Sequence, residues 1–167
     1  VFDERGCGNG WLLPAGLLRE SWPPVSGASY RPDLVLRQHR EDAQPPDIAS
    51  VPGIPVFNAV RRLAQHAIGL HGQRIALEQL KGQPLTAMAG IARPSAFFDM
   101  LRARGLTLAR ELPLPDHAEP AAYAMVRQSE KGPLICTEKD AIKCLASVPE
   151  EENTTTRIWA VPLELVP

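Results

Sequence analysis

The chain has 167 residues, which is enough for one ordinary domain or for two small lobes with a buried core. Its composition, 44% hydrophobic and 22% charged, is typical of globular proteins, and no apolar run approaches the roughly 18 residues that a membrane-spanning helix needs. The formal net charge of -1 excludes a general attraction to nucleic acid, so we expect no nucleic-acid partner and only local anion sites.

The N-terminal third of the chain reads as a strand end followed by loops. The residues VFDE at 1–4 are typical of the end of a buried strand, and we therefore expect this chain to be the C-terminal part of a longer polypeptide. A glycine-rich loop follows, then a short helix near residues 17–21 and a strand at 33–38, DLVLRQ. Residues 39–53 are polar and rich in proline, which predicts a loop.

Residues 54–84 contain β-branched and aromatic residues in a partly alternating pattern. This pattern predicts strands near 56–63 and 67–70. We expect these two strands to pair as a short β-ribbon that links two lobes.

From residue 85 onward, predicted strands and helices alternate. A short apolar strand, LTAMAG, precedes a helix that has Pro94 in its first turn and Gly105 just past its end. The remaining predicted elements are, in order, a strand at LTLAREL, a helix at EPAAYAMVRQSEK, a strand at PLICT, a helix at EKDAIKCLA and a strand at TRIWAV. This order predicts βαβ units and therefore an α/β fold, a mainly parallel sheet with helices on both faces.

Ligands of such sheets collect at the carboxyl ends of the strands, where loops and helix N-termini present unpaired N–H groups. Four stretches of the sequence follow predicted strand ends. They are DERGCGNGWLLPAGLLRE, GIARP, PLPDH and TEKDAIK.

The first of these stretches can be interpreted in two ways. Asn9-Gly10 favours a tight turn, and Gly8 allows a close backbone approach. Arg19 offers a planar guanidinium for phosphate oxygens, and Glu20 offers a hard oxygen ligand for Mg²⁺. The alternative is a structural loop followed by a solvated Arg-Glu pair, and composition alone favours that alternative because short motifs often match by chance.

The PDH stretch places Asp116 and His117 directly after a predicted strand. A histidine beside a carboxylate can orient or transfer a proton. Adjacent residues of an extended segment point to opposite sides, however, so Asp116 need not be the partner of His117. The alternative is an ordinary solvated histidine in a loop.

The TEKD and GIARP stretches favour structural roles. Thr137 is predicted to cap the following helix, with Asp140 answering it in a capping box. In the alternative, Thr137 and Lys139 face a ligand at the edge of the sheet. Gly90 is expected to permit a strand-to-helix turn rather than the approach of a ligand.

The three cysteines, Cys7, Cys136 and Cys144, stand at irregular spacing without a CxxC pair. Such a pattern fits reduced thiols better than a disulfide scaffold or a zinc site. It predicts a cytoplasmic protein.

Taken in order, these stretches resemble one known family. The series FD…GNG…LLPAG…LRE, AGI…P…FF, PDH and TEKDA.K resembles the tetraacyldisaccharide 4′-kinases, which are the lipid A kinases of Gram-negative bacteria. The resemblance runs nearly end to end and is strongest at residues 1–20, 86–105, 113–123 and 134–144. The sequence departs from the family pattern at Leu17, where the family usually has proline. It also contains no GxxxxGK[ST] loop and no acidic pair before G-x-Q-H.

The resemblance implies a P-loop-related kinase that moves the γ-phosphate of ATP, with Mg²⁺, to the 4′-hydroxyl of tetraacyldisaccharide 1-phosphate. It implies that this occurs at the cytoplasmic face of the inner membrane. Residues 1–53 would be the remnant of the nucleotide-binding lobe, 54–84 a β-ribbon linker and 85–167 a C-terminal α/β lobe. The missing phosphate-binding loop and the membrane-docking element are both expected upstream, so we expect the 167-residue chain alone to lack kinase activity.

For the first lobe, the resemblance implies that Arg19 and Glu20 lie at the nucleotide-metal site, with Gly8, Asn9 and Gly10 contacting the nucleotide. Arg19 would act on the transferring phosphate, and Glu20 would hold Mg²⁺.

For the second lobe, it implies that His117 pairs with a catalytic aspartate of the first lobe. Asp116 and Thr137 fit the motif without an assigned role. Two alternatives stay open, a non-catalytic α/β binding or regulatory module and a member of another P-loop family.

Overall fold

A computed structural model describes residues 1–28, 31–146 and 157–167. These residues form two compact units, Val1–Arg62 with Glu164–Pro167, and Leu63–Leu163. The division predicted at residues 53 and 84 stays a prediction. In chain order the elements are β1 (Val35–Arg40), β2 (Val56–Leu63), β3 (His66–Gly69), β4 (Arg74–Ala76), a 3-10 helix (Leu77–Leu80), β5 (Pro84–Ala89), α1 (Pro94–Ala103), β6 (Thr107–Pro113), α2 (Pro120–Ser129), β7 (Leu134–Thr137), α3 (Glu138–Ala146), β8 (Ile158–Val161) and β9 (Leu163–Val166).

The first unit contains a three-stranded sheet in the order β1-β2-β9. Strands β1 and β2 are parallel, with Val35 opposite Val56 at the start of the register. Val35 is buried in a small core that includes Phe2 and Trp22, whose rings meet edge to face at 5.3 Å. The strand end predicted at residues 1–4 is a single parallel bridge from Phe2 to Arg37.

The helix predicted near residues 17–21 is wrong, because this segment consists of bends around Leu18, which forms an isolated bridge with Leu12. The N–H of Leu18 donates to the carbonyl of Trp11 at 3.2 Å, and the N–H of Leu13 donates to the carbonyl of Leu18 at 2.8 Å. These bonds close residues 11–18 into a loop and occupy backbone groups that a helix would use. Five residues are also too few for a helix that lacks tertiary support.

The second unit is a six-stranded sheet in the order β4-β3-β8-β7-β5-β6. Strands β8, β7, β5 and β6 are parallel, and β3 and β4 add an antiparallel edge. This confirms the predicted α/β fold with a mainly parallel sheet. The strand predicted at TRIWAV is β8, and its first predicted residue, 156, lies outside the described residues.

Alternation along the buried strands places helices on both faces of this sheet. Ile135 packs in one core cluster with Phe97 and Leu101, which lie at i and i+4 on α1. Its neighbours Leu134 and Cys136 point to the opposite face, into the cluster that contains Tyr123 of α2 and residues of α3. Helix α1 begins at Pro94 and ends before Gly105, whose φ of +80° suits the left-handed position after a helix.

The predicted β-ribbon is wrong, although both of its strands exist. Strand β2 pairs in the first sheet, whereas β3 pairs with β4 and β8 in the second. Only Ala64 and Gln65 separate β2 from β3, and neither residue favours the positive φ that a two-residue hairpin turn requires. The N–H of Ala64 instead donates to the carbonyl of Pro162. Among the described residues, no helix has the length and apolar character required to cross a membrane.

Candidate functional site

The glycine-rich loop of the first unit is held in shape by its own contacts. The side-chain oxygen of Asn9 accepts from the N–H of Trp11 at 3.1 Å, and its amide donates to the carbonyl of Ala15 at 3.0 Å. Gly8 has a φ of +57°, and a Cβ there would lie 2.7 Å from Cδ1 of Leu17. The Asn9 amide and the missing side chain at Gly8 therefore serve the internal geometry of the loop.

Arg19 and Glu20 follow this loop and are exposed. Both line a cleft of about 700 Å³ within the first unit, together with Asp3, Arg5 and Trp22. The guanidinium of Arg5 binds the carboxylate of Asp3 through two nitrogens, at 2.6 and 3.0 Å, so Asp3 is already paired. Of the charged residues described along this cleft, Arg5 and Asp3 therefore bind each other. The other two, Arg19 and Glu20, are adjacent in sequence and place a guanidinium and a carboxylate at the cleft wall.

The described part of this chain could supply one carboxylate ligand to Mg²⁺, that of Glu20, but not a complete metal site. Mg²⁺ usually binds one or two protein carboxylates and takes its other ligands from water and substrate phosphates. Glu20 is a carboxylate of this kind. The described residues contain no group of three or more potential metal-ligating side chains, so Glu20 would be one ligand beside those of a bound nucleotide.

The second unit brings three of the predicted stretches together at the carboxyl edge of its sheet. Gly90 follows β5, Asp116 and His117 follow β6, and Thr137 ends β7, and these three strands are parallel neighbours. The ammonium of Lys139 lies 2.8 Å from Oδ1 of Asp116. Three of the four stretches predicted to follow strand ends therefore lie at one edge of the sheet of the second unit, the edge where ligands of parallel sheets collect.

Asp140 is the centre of a buried hydrogen-bond network at this edge. Its side chain is fully buried and accepts from the hydroxyl of Tyr123 at 2.8 Å, from the hydroxyl of Thr137 at 2.6 Å and from the N–H of Gly90 at 3.1 Å. Burial raises the pKa of Tyr123, and the bond to Asp140 raises it further, so this hydroxyl remains a donor. The network fixes the beginning of α3 to α2 and to the end of β5.

The predicted helix cap is confirmed, with one difference in its second bond. Oγ1 of Thr137 accepts from the backbone N–H of Asp140 at 3.2 Å, as a capping residue does. The carboxylate of Asp140 answers the hydroxyl of Thr137 instead of its backbone N–H. The structural interpretation of Gly90 is also confirmed, because a Cβ there would lie 2.4 Å from the hydroxyl oxygen of Tyr123.

His117 has an unusual backbone and an exposed side chain. Its φ is +66°, which is uncommon outside glycine, and 89% of its side chain is accessible. Its Nε2 lies 3.9 Å from Oδ2 of Asp116, too far for a hydrogen bond. The sequence argument that Asp116 need not be the partner of His117 agrees with this distance. Strained conformations of this kind are concentrated at functional sites.

The pKa of Asp116 is lowered, first by the hydrogen bond from Lys139 and also by the charges of Lys139 and His117. The contact between Lys139 and Asp116 was not predicted from the sequence, where Lys139 was considered as a residue that could face a ligand. One feature of the sequence could have indicated it: Lys139 directly precedes Asp140 in the capped first turn of α3, where Asp140 is buried and Lys139 is exposed.

The predicted site residues are divided between the two units. Arg19 and Glu20 belong to the first unit, and Asp116, His117 and Thr137 belong to the second.

Comparison with known proteins gives one consistent result. Residues 1–167 match the family model described as LpxK, tetraacyldisaccharide-1-P 4'-kinase. The chain is 44% identical over 167 residues to the tetraacyldisaccharide 4'-kinase of Polaromonas naphthalenivorans, covering all of this chain and 44% of that protein. It is 46% identical over 166 residues to the protein of the same name from Acidovorax sp. strain JS42, covering 99% of this chain and 42% of the relative.

The chain therefore spans less than half the length of the curated relatives that it matches. Its fold is similar to that of apo-form LpxK from Aquifex aeolicus, whose crystal structure was solved in complex with ATP. That similarity has a TM-score of 0.60 at 20% identity and covers 94% of this chain and 44% of the other. At this identity the structural similarity concerns the fold.

Proposed function

The chain belongs to the tetraacyldisaccharide-1-P 4'-kinase family, and from this premise we propose that the protein carrying it transfers the γ-phosphate of ATP to the 4′-hydroxyl of tetraacyldisaccharide 1-phosphate. The observation that carries the proposal is the family match over the whole chain, residues 1–167. The exposed Arg19–Glu20 pair and the His117 loop supply groups of the kind that phosphoryl transfer requires. This chemistry depends on positioning and on charge neutralisation more than on covalent steps.

Arg19 is proposed to neutralise charge on the transferring phosphate. Its planar guanidinium can bind two phosphate oxygens at once, and it lines the cleft of the first unit. Gly8, Asn9 and Gly10 are proposed to contact the nucleotide through their backbone, because the side chain of Asn9 already makes two hydrogen bonds within the loop.

Glu20 is proposed to contribute one oxygen ligand to Mg²⁺. The metal, when bound with the nucleotide, would neutralise phosphate charge. What this chain itself supplies is the carboxylate, placed directly after Arg19 so that the anionic and cationic groups flank the same cleft.

His117 is proposed to orient the carboxylate that accepts the proton of the sugar hydroxyl. Its ring is exposed and therefore available to a partner, and its positive φ is a backbone conformation uncommon outside glycine. Asp116 and Thr137 are proposed to act through the loop and helix that they hold rather than on the substrate. The location proposed for the reaction is the cytoplasmic face of the inner membrane, with membrane contact made by the N-terminal part of the whole protein.

The test is a transfer assay with the natural full-length polypeptide that contains these residues. It would be supplied with ATP labelled at the γ-phosphate, Mg²⁺ and tetraacyldisaccharide 1-phosphate, with the 4′-phosphorylated disaccharide as the blocked control acceptor. We expect label on the unblocked acceptor only. Transfer to neither acceptor by a folded protein would contradict the proposal and would favour a non-catalytic binding module, and labelling of the blocked acceptor would place the transfer at another hydroxyl.

A further inference from the structure

The loop that carries His117 is attached to the second unit at both of its ends. At its start, the N–H of Leu114 donates to the carbonyl of Ala89 at 2.9 Å. At its end, Nζ of Lys143 on α3 lies 3.4 Å from the carbonyl oxygen of Ala118. The N–H of Ala118 donates to the carbonyl of Pro115 at 3.0 Å and closes a turn. Between these two points lie Asp116 and His117, which have no place in a regular strand or helix.

Within this turn, the Lys139 ammonium is the side chain that holds Asp116. Nζ of Lys139 lies 2.8 Å from Oδ1 of Asp116 and 3.4 Å from the carbonyl oxygen of Gly90. The same ammonium thus joins the loop after β6 to Gly90, the residue that follows β5.

The position of Lys139 is itself fixed by its neighbour. Asp140 is fully buried and accepts the N–H of Gly90, while Lys139 approaches the carbonyl of the same glycine. Two consecutive residues of α3 therefore contact both backbone polar groups of Gly90, the residue that follows β5. A lysine held at the start of a capped helix loses less freedom on binding Asp116 than one on a free surface would.

We propose that Lys139 is a positioning residue for the transfer reaction: by binding Asp116 it fixes the loop backbone that presents His117. This inference rests on the proposed function of His117. The ion pair between Lys139 and Asp116 is half-exposed, and such pairs contribute little to the free energy of unfolding. We therefore expect the loss of Lys139 to change the position of the loop more than the stability of the protein.

The first readout is amide hydrogen exchange of residues 114–118 in the full-length polypeptide. We compare the wild type with Lys139→Met, with Lys139→Arg, which keeps the charge, and with Lys131→Met, which removes a charge at the other end of β7. We expect exchange in this loop to be about fivefold faster or more in K139M, close to wild type in K139R and K131M, and unchanged in the core strands of all four proteins.

The second readout is the kinetics of phosphate transfer by the same proteins. We expect K139M to lower kcat by about tenfold while the KM for ATP changes by less than about twofold, because the loop is displaced without loss of a nucleotide contact. K139R should restore most of kcat. A merely structural contact would lower the amount of folded enzyme instead, and kcat per folded molecule would not change.

The two proposals can fail separately. Unchanged loop exchange in K139M, or faster exchange with unchanged kcat, overturns the positioning inference and leaves the proposed function intact. If the wild type transfers no phosphate, the proposed function fails. The exchange comparison then tests by itself whether Lys139 restrains the loop at residues 114–118.

Discussion

The backbone N–H of Gly90 donates to the buried carboxylate of Asp140 at 3.1 Å, across 50 residues of sequence. This bond joins the end of β5 to the first turn of α3 and leaves no room for a side chain at residue 90. A Cβ there would lie 2.9 Å from Oδ1 of Asp140 and 2.4 Å from the hydroxyl of Tyr123. Both contacts are closer than van der Waals packing allows.

We therefore expect Gly90→Ala to destabilise the protein by about 1–3 kcal/mol, the usual cost of overpacking a core. The measurement is the free energy of unfolding in urea. Gly132→Ala is the matched control, since a Cβ at Gly132 has no heavy atom within 4 Å. Equal stability of the two variants would show that the edge of the sheet can relax around residue 90.

Replacing Asp140 by asparagine tests the buried network directly. Three donors converge on its carboxylate, and an amide NH₂ in place of one oxygen would point a donor at a donor. We expect Asp140→Asn to cost about 2–3 kcal/mol of unfolding free energy, measured by urea denaturation, with Glu138→Gln on the exposed side of the same turn as the control. A loss below that of Glu138→Gln would mean that the network contributes no net stability.

The lowered pKa of Asp116 predicts a specific dependence on pH. Because the folded value lies below the ordinary 3.8, the ionised carboxylate favours the folded chain above pH 3.8, and this contribution is lost as the pH falls through the lowered value. Lys139 is the main cause, with His117 second among the residues. We expect a carboxyl-detected NMR titration to show the Asp116 pKa moving up toward 3.8 in Lys139→Met and staying lowered in Lys131→Met. A pKa that does not respond to the loss of Lys139 would contradict the ion pair.

The three thiols should differ in reactivity. Burial raises the pKa of Cys136 well above its ordinary value and that of Cys144 to about 11, while Cys7 is only half-buried and is raised less. We expect iodoacetamide at a pH of about 8 to alkylate Cys7 at least about tenfold faster than the other two, because the thiolate is the nucleophile. Peptide mass spectrometry would follow each site, and denatured protein, in which the three rates become similar, is the control. Early labelling of Cys136 would show that the buried cluster containing Tyr123, Cys136 and Cys144 opens in the folded protein.

The α/β arrangement of the second unit could be predicted because its signals are local. Pro94 and Gly105 mark the ends of α1, and Phe97 and Leu101 mark its buried face, so each signal lies within one element. Thr137 and Asp140 are likewise three residues apart, and their cap was predicted.

The contacts that were missed depend on residues distant in sequence. Strand β2 pairs with β1 and not with β3, and that choice depends on the partner available in space rather than on the alternation within each strand. The contact between Lys139 and Asp116 spans 23 residues and two strand ends. Arg19 and Glu20 could be selected from the sequence because a guanidinium suits phosphate and a carboxylate suits Mg²⁺. Their contact with a nucleotide stays a prediction.

Substitution of His117 tests the catalytic proposal most directly. In the full-length polypeptide, His117→Ala should lower kcat by about 10²-fold or more and leave the KM for ATP within about threefold, because the ring is proposed to act on the proton-accepting carboxylate and not on the nucleotide. Arg19→Ala should differ by also raising the KM for ATP, since its guanidinium is proposed to bind phosphate. His71→Ala, a histidine outside both proposed sites, is the matched control. Initial rates at varied ATP and fixed acceptor separate these effects, and an unchanged kcat in His117→Ala would remove this residue from the proposed mechanism.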